Sequence, residues 1–320
     1  MSPIAASDEG RHPSGPEALW GESWYFDFAA SDGSYGGYVR LGLYPNRGVA
    51  WFWLALVHPD RPLVFIRDHA VPVPNGEALV LDGGAYRAEI RADQPLERWS
   101  VVVRGAARSR DDPAGAFHDA PTAWTDVDVR LEWVAAAPVF EYALTTRYEQ
   151  TSHVTGSFTV DGRTTAVDAP GQRDHSWGVR DWWDNPWCWS AGTFADGRAF
   201  HLLNTVFPGG GSYTTGYTVA AVRGAEGWTE VTAGAVDAVL DPELLPTTVG
   251  LMVGDLAVTA APIAHAPLLL VSDDGRESRF ARTLMHYVDA DGIEGTGWLE
   301  SNWPPGTAPE TAPTASPAET

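Results

Sequence analysis

The sequence predicts an all-β protein built from two similar halves, and three observations carry that reading. Apolar and aromatic residues recur in short runs punctuated by Asp-Gly turns, and no stretch has the spacing of a long amphipathic helix. The turns Asp32-Gly33 and Asp196-Gly197 lie 164 positions apart, and the prolines that follow, Pro45 and Pro208, lie 163 apart. Two echoes at nearly half of the 320 residues point to an internal duplication. Length gives a prior of about two domains, each with room for a core. Short strands in two halves fit two tandem, mostly antiparallel β-barrels or sandwiches with little helix.

Taken in order, residues 1–18 are polar, contain Pro3, Pro13 and Pro16, and read as a disordered tail. A first barrel is expected over 19–168. Its strands begin with the aromatic run Glu22–Phe28, the hairpin turn Asp32-Gly33 and the run Gly36–Tyr44. Ala50–Val57 is apolar on both faces, so it is central or lines a cavity. Ala78–Leu81, Tyr86–Arg91, Trp99–Gly105, Thr125–Trp133 and a long run from Tyr142 to Val160 follow. The second unit, 169–303, opens with a junction motif. Its strands are Trp187–Phe194, Arg198–Phe207, Tyr213–Val222, Val231–Leu240, Leu251–Ala260, Pro267–Ser272, Glu277–Asp289 and Gly295–Glu300. A turn or two of helix at most is expected near Pro242–Leu245, and residues 304–320 read as a disordered Pro/Thr/Ala tail.

Composition narrows the function classes. A formal charge of −21 speaks against nucleic acid and against a polybasic grip on anionic membranes. The single Cys188 rules out an intrachain disulfide and any cysteine-cluster metal site. Nine histidines are scattered without ligand spacing, and no phosphate loop, dinucleotide fingerprint or nucleophile elbow is present. No metal and no cofactor are therefore expected. The opening residues show no basic segment followed by an apolar run, and nothing approaches a membrane span, so a cytoplasmic location without an obligate protein partner is expected.

The densest chemistry lies between Gly171 and Trp183, which holds two aspartates, two arginines, a histidine and three tryptophans. If extended, it alternates: Arg173, His175, Trp177, Val179 and Asp181 share one face, and Asp174, Ser176, Gly178, Arg180 and Trp182 the other. One reading is a buried Arg–Asp network that fixes a crossing between units. The other is catalytic. Asp174 or Asp181 then serves as a proton donor and His175 as its relay, with Arg180 beside them and Trp177 and Trp182 as cavity wall. An adjacent guanidinium, Arg173 or Arg180, keeps a carboxylate ionised, so one aspartate is expected to be structural. Trp51 and Trp53 share a strand face and are ligand-binding candidates, as is His201.

Three segments carry a family resemblance. Glu22-Ser-Trp-Tyr-Phe resembles the Glu-Trp-Trp-Tyr-Phe opening of the lipocalin-like tandem-barrel family that includes carotenoid 1,2-hydratase (hydroxyneurosporene synthase) and related pericyclic cyclases. Asp174-His175-Ser176-Trp177-Gly178 resembles that family's Asp-His-x-Trp-Gly signature, with Ser176 in place of Asn or Gln. Gly295–Glu300 resembles the C-terminal strand of an actinobacterial branch. The resemblance implies two lipocalin-like barrels and a cofactor-free lyase or isomerase of hydratase or cyclase type. Its substrate would be an apolar polyene, terpenoid or polyketide-like molecule. Trp24 and Trp298, inside the matching segments, join the ligand-binding candidates. A non-catalytic carrier of a hydrophobic molecule is the second class. A carbohydrate-active protein is the third and ranks last, because Asp174 and Asp181 would lie roughly 23 Å apart in an extended strand, beyond a glycosidase pair.

Overall fold

The computed structural model describes residues 4–118, 120–205, 217–304 and 306–307. Its first sheet opens with β1 (Trp20–Ala29), β2 (Gly36–Tyr44), β3 (Val49–Val57) and β4 (Leu63–Pro72). It continues through β5 (Leu79–Asp82), β6 (Tyr86–Gln94), β7 (Arg98–Arg110), β8 (Ala123–Ala135), the short β9 (Phe140–Glu141), β10 (Arg147–Val160) and β11 (Arg163–Val179). The second sheet holds β12 (Trp187–Phe194), β13 (Ala199–Thr205), β14 (Thr218–Gly224), β15 (Gly227–Val231) and β16 (Gly234–Leu240). It ends with β17 (Pro246–Val253), β18 (Leu256–His265), β19 (Leu268–Val271), β20 (Glu277–Asp289) and β21 (Glu294–Trp303). The chain is all-β: three short 3₁₀ turns are its helical segments among the described residues. No helix among them is long and apolar enough to cross a membrane.

The first sheet runs β4-β3-β2-β1-β11-β10-β8-β7-β6-β5, and β4 also pairs with β7 from Leu63↔Arg110 to Phe65↔Arg108, which closes a barrel. The second runs β15-β14-β13-β12-β21-β20-β18-β17-β16 and stays a half-barrel. The two orders match from β4 and β15 through to β6 and β16, and β5 has no counterpart in the second sheet. In each unit the first strand lies between the second and the last, and β19 flanks β20 as β9 flanks β10. All the ladders are antiparallel.

Apolar side chains form three cores. One fills the first barrel around Trp24, Phe26, Trp99 and Trp133. One fills the second unit around Phe200, Leu202, Met285 and Tyr287. The third lies between the units and includes Tyr25, Tyr38, Trp51, Trp53, Trp189 and Trp298. Burial of one such large side chain is worth about 1.5–3 kcal/mol, so the third core welds the units together. It also explains why β1 is buried on both faces: one side faces the barrel interior and the other the second unit.

The structure redraws several boundaries. Residues 169–179 belong to the first sheet, not to the second unit: β11 pairs with β1 and β10 along its length. Residues 4–18 are not a loose tail throughout, since Ala6–Glu9 form a 3₁₀ turn and Glu9 is buried. The run Leu251–Ala260 is a hairpin, β17 and β18, broken at Gly254, which has a φ of 61°. Strands β4 and β15 had no counterpart in the sequence reading, and Pro242–Leu245 makes a turn without helix. The tail expected over 304–320 lies outside the described residues apart from 304, 306 and 307.

Candidate active site

Between the units lies a cavity of about 360 Å³. β11 contributes Asp174, Ser176 and Val179, and the segment after it contributes Arg180, Asp181 and Trp182. The first barrel adds Ser23, Tyr25, Arg40, Tyr142 and Arg147; the second unit adds Trp187, Leu203, Phe280, Arg282 and Glu300. The alternation expected along the strand holds as far as Gly178. That glycine has a φ of 117°, and beyond it Val179, Arg180, Asp181 and Trp182 all line the cavity.

Asp174 and Glu300 occupy equivalent places in the two sheets. Asp174 pairs with Tyr25 and Glu149, and Glu300 pairs with Trp189 and Arg282. Tyr25 and Trp189 each stand seven residues before the aspartate of their unit's first Asp-Gly turn. The duplication thus brings two carboxyl groups to one cavity from opposite sides. Asp174 accepts from Arg147 Nη2 at 2.9 Å, and Glu300 is held by Arg282. Burial raises both carboxyls above their ordinary range, each opposed by its guanidinium. Arg147 also contacts Glu149 at 2.6 Å, so one guanidinium serves two carboxylates.

Tyr25 leads from the cavity to a third acid. Its hydroxyl donates to Asp27 Oδ2 at 2.8 Å, while Gln172 N–H donates to Asp27 Oδ1 at 2.8 Å. Asp27 is 4% exposed and has no guanidinium within hydrogen-bonding distance among the described residues. Burial pushes it up to about 8, against the pull of those two donors. Protonated, Asp27 donates to the phenol oxygen of Tyr25, a residue that lines the cavity, and frees the phenol proton for another acceptor.

The other predicted residues are dispersed. His175 turns away from Asp174 into the mouth of the first barrel, so it cannot act as a relay for Asp174 across the cavity; neighbours on a strand face opposite ways. There it stacks on Trp24 at 4.5 Å and faces Glu22 Oε1 at 3.0 Å. Arg173 lies on the same face and binds Glu9 Oε1 at 3.0 Å and Gln150 Oε1 at 2.7 Å. Trp177 stacks on His12 at 3.9 Å. Asp181 lies 3.5 Å from Arg276 on the rim. Trp51, Trp53 and Trp298 belong to the inter-unit core, and Trp298 Nε1 donates to Phe28 O at 3.0 Å. His201 is buried behind Tyr142, hydrogen-bonded to its hydroxyl, and kept neutral by burial. The sequence reading thus gathers Asp174, Arg180, Asp181 and Trp182 at the cavity and misses Tyr25, Asp27, Arg40, Arg147, Arg282 and the role of Glu300.

Among the described residues, one group has the composition of a metal site: His12, Glu22 and His175, whose donor atoms lie within 4.8 Å of one another. Its carboxylate already has partners, since both Glu22 oxygens accept from the His12 backbone N–H, at 3.0 and 3.1 Å. His175 comes from a distant part of the sequence, 153 residues after Glu22, so spacing could not show the group.

The fold has solved counterparts. A structure from Nitrosomonas europaea described as a candidate AttH is 14% identical, with a TM-score of 0.63 over 92% of this chain and 94% of its own. Kievitone hydratase from Nectria haematococca is also 14% identical, with a TM-score of 0.59 over 90% of each chain. CghA is 13% identical, with a TM-score of 0.54 over 90% of this chain and 89% of its own. At these identities the likeness speaks for the fold, tandem lipocalin-like barrels. No curated protein matches the sequence. The sequence does match one family over nearly its whole length, residues 5–305, and the chain belongs to that family, described as Domain of unknown function (DUF7064).

Proposed function

We propose that the inter-unit cavity carries out cofactor-free acid catalysis on an apolar polyene, terpenoid or polyketide-like molecule, as a hydratase or cyclase does. The carrying observation is the Tyr25–Asp27 pair: a carboxyl group that burial keeps in its acid form, without a guanidinium hydrogen bond among the described residues, and joined through the Tyr25 hydroxyl to a residue that lines the cavity. Protonating an alkene needs such a donor in a water-poor site. Asp27 passes its proton to Tyr25 as Tyr25 passes its own to the substrate carbon, and the carbon–carbon π pair forms the new C–H bond. Trp182, Trp187 and Phe280 face the resulting cation, each worth about 0.5–2 kcal/mol. Asp174 or Glu300 takes the proton released when water adds or when a neighbouring carbon loses hydrogen, and the cycle closes when that carboxyl gives its proton to solvent and Asp27 regains one from solvent. Arg147 and Arg282 hold these two carboxyls in place. Kievitone hydratase, similar in fold, is by name a hydratase, which supports this reaction type.

The test combines thermal stability, retention of a polyene and deuterium uptake from heavy water. Tyr25→Phe and Asp27→Asn should fold and bind, and lose roughly 100-fold or more of the deuterium uptake. Asp174→Asn should bind and stall after protonation. A wild-type protein that binds polyenes and never incorporates deuterium is a carrier, and that result would end the catalytic reading.

A further inference from the structure

Two guanidinium groups in this cavity form no salt bridge among the described residues, though Asp174 acts on both at longer range. Arg40 is 6% exposed, and its buried Nη1 has no hydrogen-bond partner. Two neighbouring indole rings pack against it, with Cζ 4.6 Å from the Trp53 ring and 5.0 Å from the Trp182 ring, the rings themselves 6.0 Å apart. Gly42 leaves the space it occupies, since a Cβ there would stand 2.6 Å from Nη1. Arg180 lines the same cavity; its backbone N–H donates to Leu19 O at 3.2 Å, and among the described residues its guanidinium makes no hydrogen bond. Burial, then Arg147 and Arg40, push Arg180 down to about 10 against the pull of the Asp174 carboxylate. The sequence has 42 acidic residues against 21 basic ones, all arginine, so acids to neutralise these two are abundant elsewhere. Leaving a buried charge unpaired costs free energy that an incoming anion recovers.

We propose that the cavity takes an apolar molecule bearing one acidic head, a carboxylate or an equally planar enolate, and that Arg40 and Arg180 grip that head. This rests on the inter-unit cavity being the substrate site. With indole rings packed against one side of Arg40, the polar contact it offers the cavity is its N–H edge, where Nη1 is unpaired. That edge matches a planar acceptor lying in the guanidinium plane, the bidentate geometry of carboxylate recognition. A dianionic phosphate would instead face Asp174 and Glu300 across the same space. Trp182, Trp187 and Phe280 leave the rest of the cavity to an apolar body.

Retinoate and retinol share one polyene and differ in the head group, so tryptophan-fluorescence titration with each isolates the anion. Wild type should bind retinoate at least about tenfold more tightly than retinol, as hydrogen bonds to charged groups are worth. Arg180→Gln and Arg40→Gln should each erase roughly tenfold of that preference and leave retinol affinity unchanged. The wild-type comparison needs no variant, and Arg180, only half-buried, gives a second reading if Arg40→Gln fails to fold. Equal affinity for the two retinoids, or variants that keep the preference, would overturn the inference. Tight retinoate binding without deuterium uptake upholds the inference and defeats the catalytic reading. Binding of neither retinoid overturns both.

Discussion

Asp27 shows how one residue acquires a property its type does not have. A free aspartate ionises near 3.9, whereas burial pushes Asp27 up to about 8. With the folded value above the unfolded one, the folded chain holds an extra proton between them. This contribution to stability is whole below about pH 4 and fades as pH rises through about 8. Asp27→Asn keeps an acceptor for Gln172 N–H and cannot ionise. Wild type should therefore lose more stability than Asp27→Asn in urea denaturation as pH climbs from 5 to 8. Parallel pH profiles would remove Asp27 as the proton holder. The residue was visible in the sequence as the one acid in the aromatic run Trp24–Phe28. What the sequence could not give was its depth, because burial on that face comes from the second unit. Arg40, Arg147 and Arg282 went unread for the same reason: each is an ordinary polar position in a strand until another sheet covers it.

At the scale of the element, β11 is one strand with two separable faces. Arg173, His175 and Trp177 close the mouth of the first barrel with Glu9, Glu22 and His12, while Asp174 and Ser176 face the cavity. The alternation of these five was legible, since period two is geometry. The break was not: strict alternation puts Asp181 with Arg173, whereas Gly178, with a φ of 117°, turns the chain so that Asp181 joins Asp174. Nor does spacing show that Glu9, 164 residues before Arg173, supplies its buried carboxylate. Glu9 accepts from Arg173 at 3.0 Å, from Leu96 N–H at 2.9 Å and from Trp99 Nε1 at 2.5 Å. Glu9→Ala leaves a guanidinium 2% exposed without its ion pair, which should cost about 3–5 kcal/mol by urea denaturation. Retinoid affinity should not move, because the loss is on the other face. A variant that loses the ligand while keeping its stability would contradict this division of the strand.

At the scale of the molecule, the duplication read from two Asp-Gly turns becomes a functional arrangement. Two units with matching strand order meet face to face, and equivalent positions on their last strands bring Asp174 and Glu300 to one cavity. Neither unit builds that cavity alone. The core between them must then be part of a single cooperative structure, and Trp298 tests this most directly. It is fully buried, packs against Tyr38 at 5.4 Å, and its indole N–H bonds Phe28 O of the other unit. Trp298→Ala removes a large side chain and leaves a carbonyl without its donor, at a cost of about 3–5 kcal/mol. If the units fold as one, calorimetry should show one transition in wild type and one, at lower temperature, in the variant. Two resolved transitions in wild type, only one of them shifted by the substitution, would show that the barrels stand independently. The inter-unit cavity would then be a gap between neighbours with no fixed geometry for catalysis.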